Sequence, residues 1–96
     1  MRVVLTAEAR KQLREATQWY AEHSAPVSRR FVDAYKHARS LVPEAPTRWP
    51  EVEEGIRRVL FSDIPYSLLY VVKEDRVLVL AVKHHKRHPD YWRGRK

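Results

Sequence analysis

Two patterns of hydrophobic residues divide the chain, a helical spacing in the first half and continuous apolar runs in the second. In the first half, apolar residues recur at intervals of three and four positions, which places them on one face of a helix. This spacing predicts one amphipathic helix over residues 7–22 and a second that ends near residue 42. Thr6 is predicted to cap the first helix and Ser24 the second, with Pro26 in its first turn. The short connection makes the two helices a hairpin. Their apolar stripes are Ala9, Leu13, Ala16 and Tyr20, then Val27, Phe31, Ala34, Ala38 and Leu41.

From residue 56 onward the apolar residues form continuous runs. Three runs rich in β-branched, aromatic and aliphatic residues span residues 56–61, 65–73 and 76–87. Turn-forming residues at positions 62–65 and the pair Glu74-Asp75 separate them. This pattern predicts an antiparallel meander, with a tight hairpin at the second break. A further short apolar run at residues 2–5 predicts a first strand.

An acidic, proline-containing segment connects the second helix to the meander. Pro43, Pro46 and Pro50 exclude a helix or a central strand there, and Trp49 is expected to anchor the segment to the body of the protein. The order of elements is therefore β-α-α-β-β-β. It predicts an α+β two-layer sandwich, with the helical hairpin packed on one face of a mainly antiparallel four-stranded sheet. The other face, or the concavity near the strand ends, would be available for binding.

Length and composition restrict the classes of protein to which the chain can belong. Ninety-six residues, of which 44% are hydrophobic, predict a single folded domain over residues 1–96, with a core of residues 1–87 and a basic tail of residues 88–96. The absence of cysteine excludes disulfides and thiolate metal sites. No apolar run approaches the roughly 20 residues needed to cross a bilayer. We therefore expect a soluble cytoplasmic protein that neither contacts a membrane nor carries a cofactor.

The net charge of +7 is unevenly distributed. Residues 83–96 hold six Lys or Arg against one Asp, whereas residues 44–54 hold four Glu against one Arg. A basic patch with interleaved Tyr91 and Trp92 indicates either a polyanionic target or an acidic protein partner. A solvated basic surface is the alternative. Although His84, His85 and His88 are close in sequence, Pro89 prevents them from sharing a helix face, so no metal site is predicted.

Several segments, taken in order, resemble the RelE/ParE superfamily of bacterial type II toxins. The first segments are Ile56-Arg57-Arg58-Val59-Leu60 and Pro65-Tyr66-Ser67-Leu68-Leu69-Tyr70. They are followed by Val77-Leu78-Val79-Leu80-Ala81-Val82-Lys83-His84, Arg87-His88-Pro89 and Trp92-Arg93. The resemblance extends over nearly the whole chain and is closer to the ParE-like branch. It implies a cognate antitoxin as partner and either DNA gyrase or the ribosome with mRNA as target.

The position after Tyr66 separates the two branches. RelE-like nucleases carry an arginine there to stabilise the phosphate, and this chain has Ser67. The resemblance therefore favours a gyrase-poisoning binding protein. Two alternatives remain, a ribosome-dependent mRNA endoribonuclease and a nonenzymatic nucleic-acid-binding module. The catalytic candidates for the endoribonuclease are Arg57, Arg58, His84, Arg87 and Tyr91.

The candidate contact residues form two sets. A +7 domain suits an acidic antitoxin that folds on binding, through a helix in a groove, strand addition, or both. The predicted target-binding residues are Lys83, His84, Lys86, Arg87, Arg93 and Arg95. The predicted antitoxin-binding residues are Leu13, Trp19, Tyr20, Phe31, Arg57 and Arg58.

Overall fold

The structure is a computed structural model that describes residues 1–86. Its elements are β1 (Arg2–Leu5), α1 (Ala7–His23), α2 (Ala25–Leu41), β2 (Glu51–Glu53), β3 (Ile56–Leu60), β4 (Tyr66–Val72) and β5 (Arg76–His84). The predictions for the tail boundary at residue 87 and for Arg87, Tyr91, Trp92, Arg93 and Arg95 lie outside the described residues.

Two hydroxyl residues define the helical hairpin. The Thr6 side chain accepts a hydrogen bond from the Ala9 N–H at 3.1 Å and caps α1. Ser24 acts on both helices, because its N–H donates to the Tyr20 carbonyl at 2.7 Å and its hydroxyl accepts from the Val27 N–H at 3.4 Å. A single residue therefore ends α1 and begins α2. Both predicted caps and the hairpin are confirmed, and α1 is one residue longer than predicted.

The sheet has five strands in the order β1-β5-β4-β3-β2. The helical hairpin carries the chain across the sheet, so that β1 pairs in parallel with β5, while all other pairs are antiparallel. The α+β class and the packing of the hairpin on a mainly antiparallel sheet are confirmed, but the predicted number of strands was wrong. The fifth strand is β2, which lies in the acidic segment as an edge strand beside β3. It is short because Pro50 precedes it and Gly55, at φ +76°, turns the chain into β3.

The main core lies between the hairpin and the sheet. Phe31 of α2 is completely buried and contacts Phe61 and Tyr66, with ring centroids 5.7 Å and 5.0 Å away. The predicted stripes supply this layer, since Ala9 and Ala16 of α1 are buried at its centre. Aromatic rings in offset and edge contacts add to the burial that holds the two layers together.

The opposite face of the sheet carries a second apolar cluster, formed by Ile56, Leu69, Val71, Leu80 and Ala81. A β-bulge contributes to it, because Leu69 pairs with Ala81 and Tyr70 with Val79, leaving Leu80 as an extra residue on β5. Leu69 is 1% exposed and Leu80 is 0% exposed. The expectation that this face is free to bind was therefore wrong for its centre. Its accessible positions lie nearer the end of β5, at Lys83 and His85, and on β3 at Arg58 and Leu60.

Candidate functional site

The start of β4 and the end of β5 meet at one end of the sheet, where Tyr66 pairs with His84 and Ser67 pairs with Lys83. Alternation along β5 separates the side chains there. His84 lies on the helix side with Tyr66, whereas Lys83 lies on the opposite face with Ser67. The basic residues that the sequence groups together are thus divided between two surfaces.

On the helix side, His84 borders an open cleft of about 270 Å³. The other residues that line it are Trp19, Tyr20, Tyr66 and Lys86. The His84 ring meets the Tyr66 ring edge-on at 5.0 Å, and its Nδ1 accepts a hydrogen bond from the Lys86 N–H at 3.0 Å. This bond requires an unprotonated Nδ1, so the neutral ring carries its proton on Nε2. The cleft combines aromatic walls with basic groups at its rim.

Trp19 is the most accessible aromatic side chain of this cleft. The residue is 50% exposed, although its indole stacks on His23 with ring centroids 3.9 Å apart and meets Tyr20 edge-on at 5.2 Å. The His23 ring is itself held by a 2.7 Å hydrogen bond between its Nδ1 and the Trp19 carbonyl. The indole is therefore oriented before any partner arrives, which lowers the entropy cost of binding against it.

On the opposite face, Ser67 and His85 form a pair that was not among the predicted site residues. Ser67 Oγ and His85 Nε2 share a hydrogen bond of 2.8 Å. Ser67 is 1% exposed, whereas His85 is exposed. The hydroxyl at this buried position is therefore hydrogen-bonded. Only the pairing of β4 with β5 brings the two residues together, so their separation in sequence gives no signal.

Arg57 has a structural partner that the sequence did not indicate. Its Nη1 donates to the carbonyls of Thr47 and Trp49 at 3.0 Å and 2.6 Å, and its Nη2 lies 3.6 Å from a Glu51 carboxylate oxygen. The guanidinium therefore holds the acidic segment against the sheet. These bonds give Arg57 a structural role in the free protein, and its predicted contacts with a scissile phosphate or the antitoxin stay predictions.

Tyr70 reinforces the same attachment. Its side chain is completely buried, and its hydroxyl donates to the Pro46 carbonyl at 2.6 Å. Burial raises the pKa of Tyr70 to about 12, while the nearby positive charge of Arg57 acts in the opposite direction. The phenol is therefore a neutral donor at physiological pH. Trp49 packs half-buried against the main core, as the sequence predicted.

The described catalytic candidates do not converge. Arg57 lies on the helix side opposite Tyr70, Arg58 lies on the other face opposite Leu69, and His84 lies on the helix side at the far end of β5. The other two candidates, Arg87 and Tyr91, are outside the described residues. A phosphoryl transfer site requires cations and an acid–base group around one phosphate. Within residues 1–86, these three side chains do not supply that arrangement.

The predicted antitoxin-binding residues differ in accessibility. Trp19 and Tyr20 border the cleft at the end of β5, Leu13 borders a second cleft beside β1, and Arg58 is exposed. Phe31 is completely buried. Its assignment as a contact residue is corrected, since a ring at the centre of the main core has no surface to offer a partner.

Among residues 1–86, no group of three or more His, Cys, Asp or Glu side chains is arranged to hold a metal ion. None of the helices in this part of the chain is both long enough and apolar enough to cross a bilayer.

Comparison with known proteins adds an independent finding. Residues 3–89 match the sequence model of the family described as ParE toxin of type II toxin-antitoxin system, parDE. No curated protein sequence matches the chain. A chain in the solved structure titled "Chromosomal ParDE TA system from P. aeruginosa" superimposes with a TM-score of 0.76 at 17% identity, over 88% of this chain and 95% of that one. That likeness confirms the fold. The family match covers most of the sequence, and the chain belongs to the ParE toxin family of type II toxin–antitoxin systems.

Proposed function

We propose that this ParE-family toxin arrests growth by binding DNA gyrase in the cytoplasm and that a cognate acidic antitoxin neutralises it. Gyrase inhibition is the known role of the family. The observation that carries the choice against RNA cleavage is the dispersal of the described catalytic candidates. Arg57 is bound to the acidic segment, and Arg58 and His84 lie on opposite faces of the sheet.

The basic end of β5 supplies the proposed target contact. Lys83 presents its charge on one face of the sheet and Lys86 on the cleft of the other. Cations at the rim of an interface mainly accelerate association and select partners of opposite charge. A target surface with acidic residues, or gyrase with its bound DNA, has the required complementarity.

A gyrase assay tests the target. The purified protein is expected to inhibit supercoiling and to trap cleaved DNA, and added antitoxin should prevent both effects. Lys83→Glu and Lys86→Glu should each weaken inhibition, whereas Arg29→Glu, which makes the same charge change at an exposed position on α2, should not. A toxic protein without any effect on gyrase would contradict the proposal. Codon-specific cleavage of mRNA in programmed ribosomes would then establish the endoribonuclease.

The cleft around Trp19 is the proposed anchor for the antitoxin. Half-exposed, pre-oriented tryptophans in aromatic clefts are typical binding hot spots, and truncation of one costs about 2 kcal/mol or more of affinity. Trp19→Ala should therefore weaken antitoxin binding at least tenfold. Gln18→Ala, the adjacent exposed residue on α1, is the matched control and should change affinity little. Equal affinities for the two variants would exclude the cleft from the interface.

A further inference from the structure

The cleft at the end of β5 is lined by four aromatic rings and a lysine. These described walls are Trp19, Tyr20, Tyr66, His84 and Lys86, and none of them is an aliphatic or an acidic residue. The volume of about 270 Å³ accommodates a single side chain or a single base, because a whole helix with its side chains is about 10 Å across. A ligand that matches these walls has a flat ring with a negative charge close to it.

Trp19 supplies a surface on which such a ring can stack. His23 covers one side of the indole, with ring centroids 3.9 Å apart and an angle of 22° between the ring planes. Trp19 is nevertheless 50% exposed and lines the cleft. A base that lies on the accessible part of the indole would extend this parallel stack to a third ring. Stacking on aromatic side chains is a main source of affinity for single-stranded nucleic acids, and every base can take part in it.

Lys86 places a positive charge beside these rings. Its N–H donates to His84 Nδ1 at 3.0 Å, so the lysine begins directly at the wall of the cleft. The Lys86 side chain is exposed, and its ammonium group makes no described hydrogen bond or ion pair within residues 1–86. A phosphate is a common partner for such a group, and a chain of phosphates also matches the net charge of +7.

We propose that this cleft binds an unpaired nucleotide of single-stranded DNA, with its base stacked on Trp19 and a neighbouring phosphate paired with Lys86. A base and a phosphate are common to DNA and RNA, and the choice of DNA rests on the proposed function, because gyrase cleaves DNA. The antitoxin, whose proposed anchor is also Trp19, then competes with the DNA strand for the cleft. Neutralisation therefore includes the loss of this nucleotide contact.

Fluorescence anisotropy with two labelled strands tests the stacking. One strand is a thymidine oligonucleotide, and the other has the same length and the same phosphates but abasic sites in place of the bases. The wild type should bind the thymidine strand at least about fivefold more tightly. Trp19→Ala should lose this preference, and Trp19→Phe should keep part of it because a ring remains. Gln18→Ala, at the adjacent exposed position on α1, is the matched control and should keep all of it.

Equal binding of the two strands by the wild type, or an unchanged preference in Trp19→Ala, would overturn the proposal. A uridine RNA strand of the same length is the third probe. Tighter binding of RNA than of DNA through Trp19 would overturn the assignment to DNA and give the site to RNA.

A lysine substitution tests the phosphate contact. Lys86→Ala should weaken binding of the thymidine strand at least about threefold and should lower the slope of log affinity against log salt by about 0.7, the value for one phosphate of a single strand. Lys73→Ala makes the same change in the turn between β4 and β5, at the opposite end of this hairpin, and should have a smaller effect. Equal effects of the two substitutions would assign the affinity to net charge and overturn the Lys86 contact.

The possible outcomes separate the inference from the function on which it rests. Gyrase inhibition by a protein that shows no Trp19-dependent strand binding would overturn the inference and leave the proposed function intact. Trp19-dependent strand binding by a protein that does not inhibit gyrase would support the nucleotide site and refute the proposed target. Antitoxin added before the thymidine strand should abolish strand binding, and undiminished binding by the toxin–antitoxin complex would overturn the competition for the cleft.

Discussion

Replacing Arg57 by Ala should destabilise the protein far more than replacing its neighbour Arg58. Arg57 donates two hydrogen bonds to carbonyls of the acidic segment, at 3.0 Å and 2.6 Å, and its side chain is only 22% exposed. A hydrogen bond to a charged group contributes about 1.5–3 kcal/mol, and ordering an arginine side chain costs up to about 2 kcal/mol. The expected net loss is about 2–3 kcal/mol. The distant carboxylate of Glu51 adds little, because exposed ion pairs are weak.

Urea unfolding of the purified chain measures this loss. For a domain of this size, about 2 kcal/mol corresponds to a fall in melting temperature of about 10 °C. The same loss lowers the urea midpoint by about 1–2 M. Arg58→Ala removes an exposed arginine from the same strand and should change the free energy of unfolding by about 0.5 kcal/mol or less. Arg57→Lys should fall between the two, because an ammonium group keeps the charge but cannot reproduce the fork of donors.

Equal stabilities of Arg57→Ala and Arg58→Ala, within about 0.5 kcal/mol, would refute this reasoning. It would mean that the acidic segment does not depend on the guanidinium. A partner or phosphate contact would then be the main role left for Arg57. A fall in toxicity of Arg57→Ala without loss of stability would point the same way.

Three further predictions concern stability and toxin function. Burial raises the pKa of Tyr70 from 10.0 to about 12. The contribution of the neutral phenol to the free energy of unfolding is therefore complete below about pH 10 and is lost as the pH rises toward about pH 12. Between about pH 9 and about pH 11.5, the free energy of unfolding of the wild type, measured in urea, should fall by about 2 kcal/mol because of this group. The free energy of unfolding of Tyr70→Phe should depend less on pH over this range, and parallel profiles of the two proteins would contradict the prediction. Gly55→Ala should cost about 1 kcal/mol from its positive φ alone, since an added Cβ meets no atom within 4 Å; unchanged urea stability would contradict this. Ser67→Ala should leave gyrase inhibition intact but release the His85 ring, and an unchanged His85 ¹H–¹⁵N spectrum would show that the pair does not form in solution.

Local chemistry in the sequence was sufficient for most of the fold. Helical spacing, a hydroxyl residue before each helix and the runs of β-branched residues are short-range signals, and they correctly placed both helices and four of the five strands. They failed at β2, because Glu51–Glu53 is short, acidic and preceded by Pro50. What makes it a strand is pairing with β3, and pairing depends on a neighbour rather than on its own composition.

The candidate site was less predictable than the fold. Strand alternation correctly indicated that Arg57 and Arg58 face opposite sides, and likewise His84 and His85. It could not indicate what each side chain meets there. The partners of Arg57 lie in a segment whose path is irregular, and Ser67 is joined to His85 only by the pairing of β4 with β5.

The sequence by itself determined the helical hairpin, the meander, the basic end of the chain and membership of the ParE family, because each depends on residue type and spacing along the chain. The tertiary structure alone decided how the charges are used. It bound Arg57 to backbone carbonyls of the acidic segment and joined Ser67 of β4 to His85 beyond β5. These outcomes depend on contacts between residues far apart in sequence. Only the assembled sheet brings such residues within hydrogen-bonding distance.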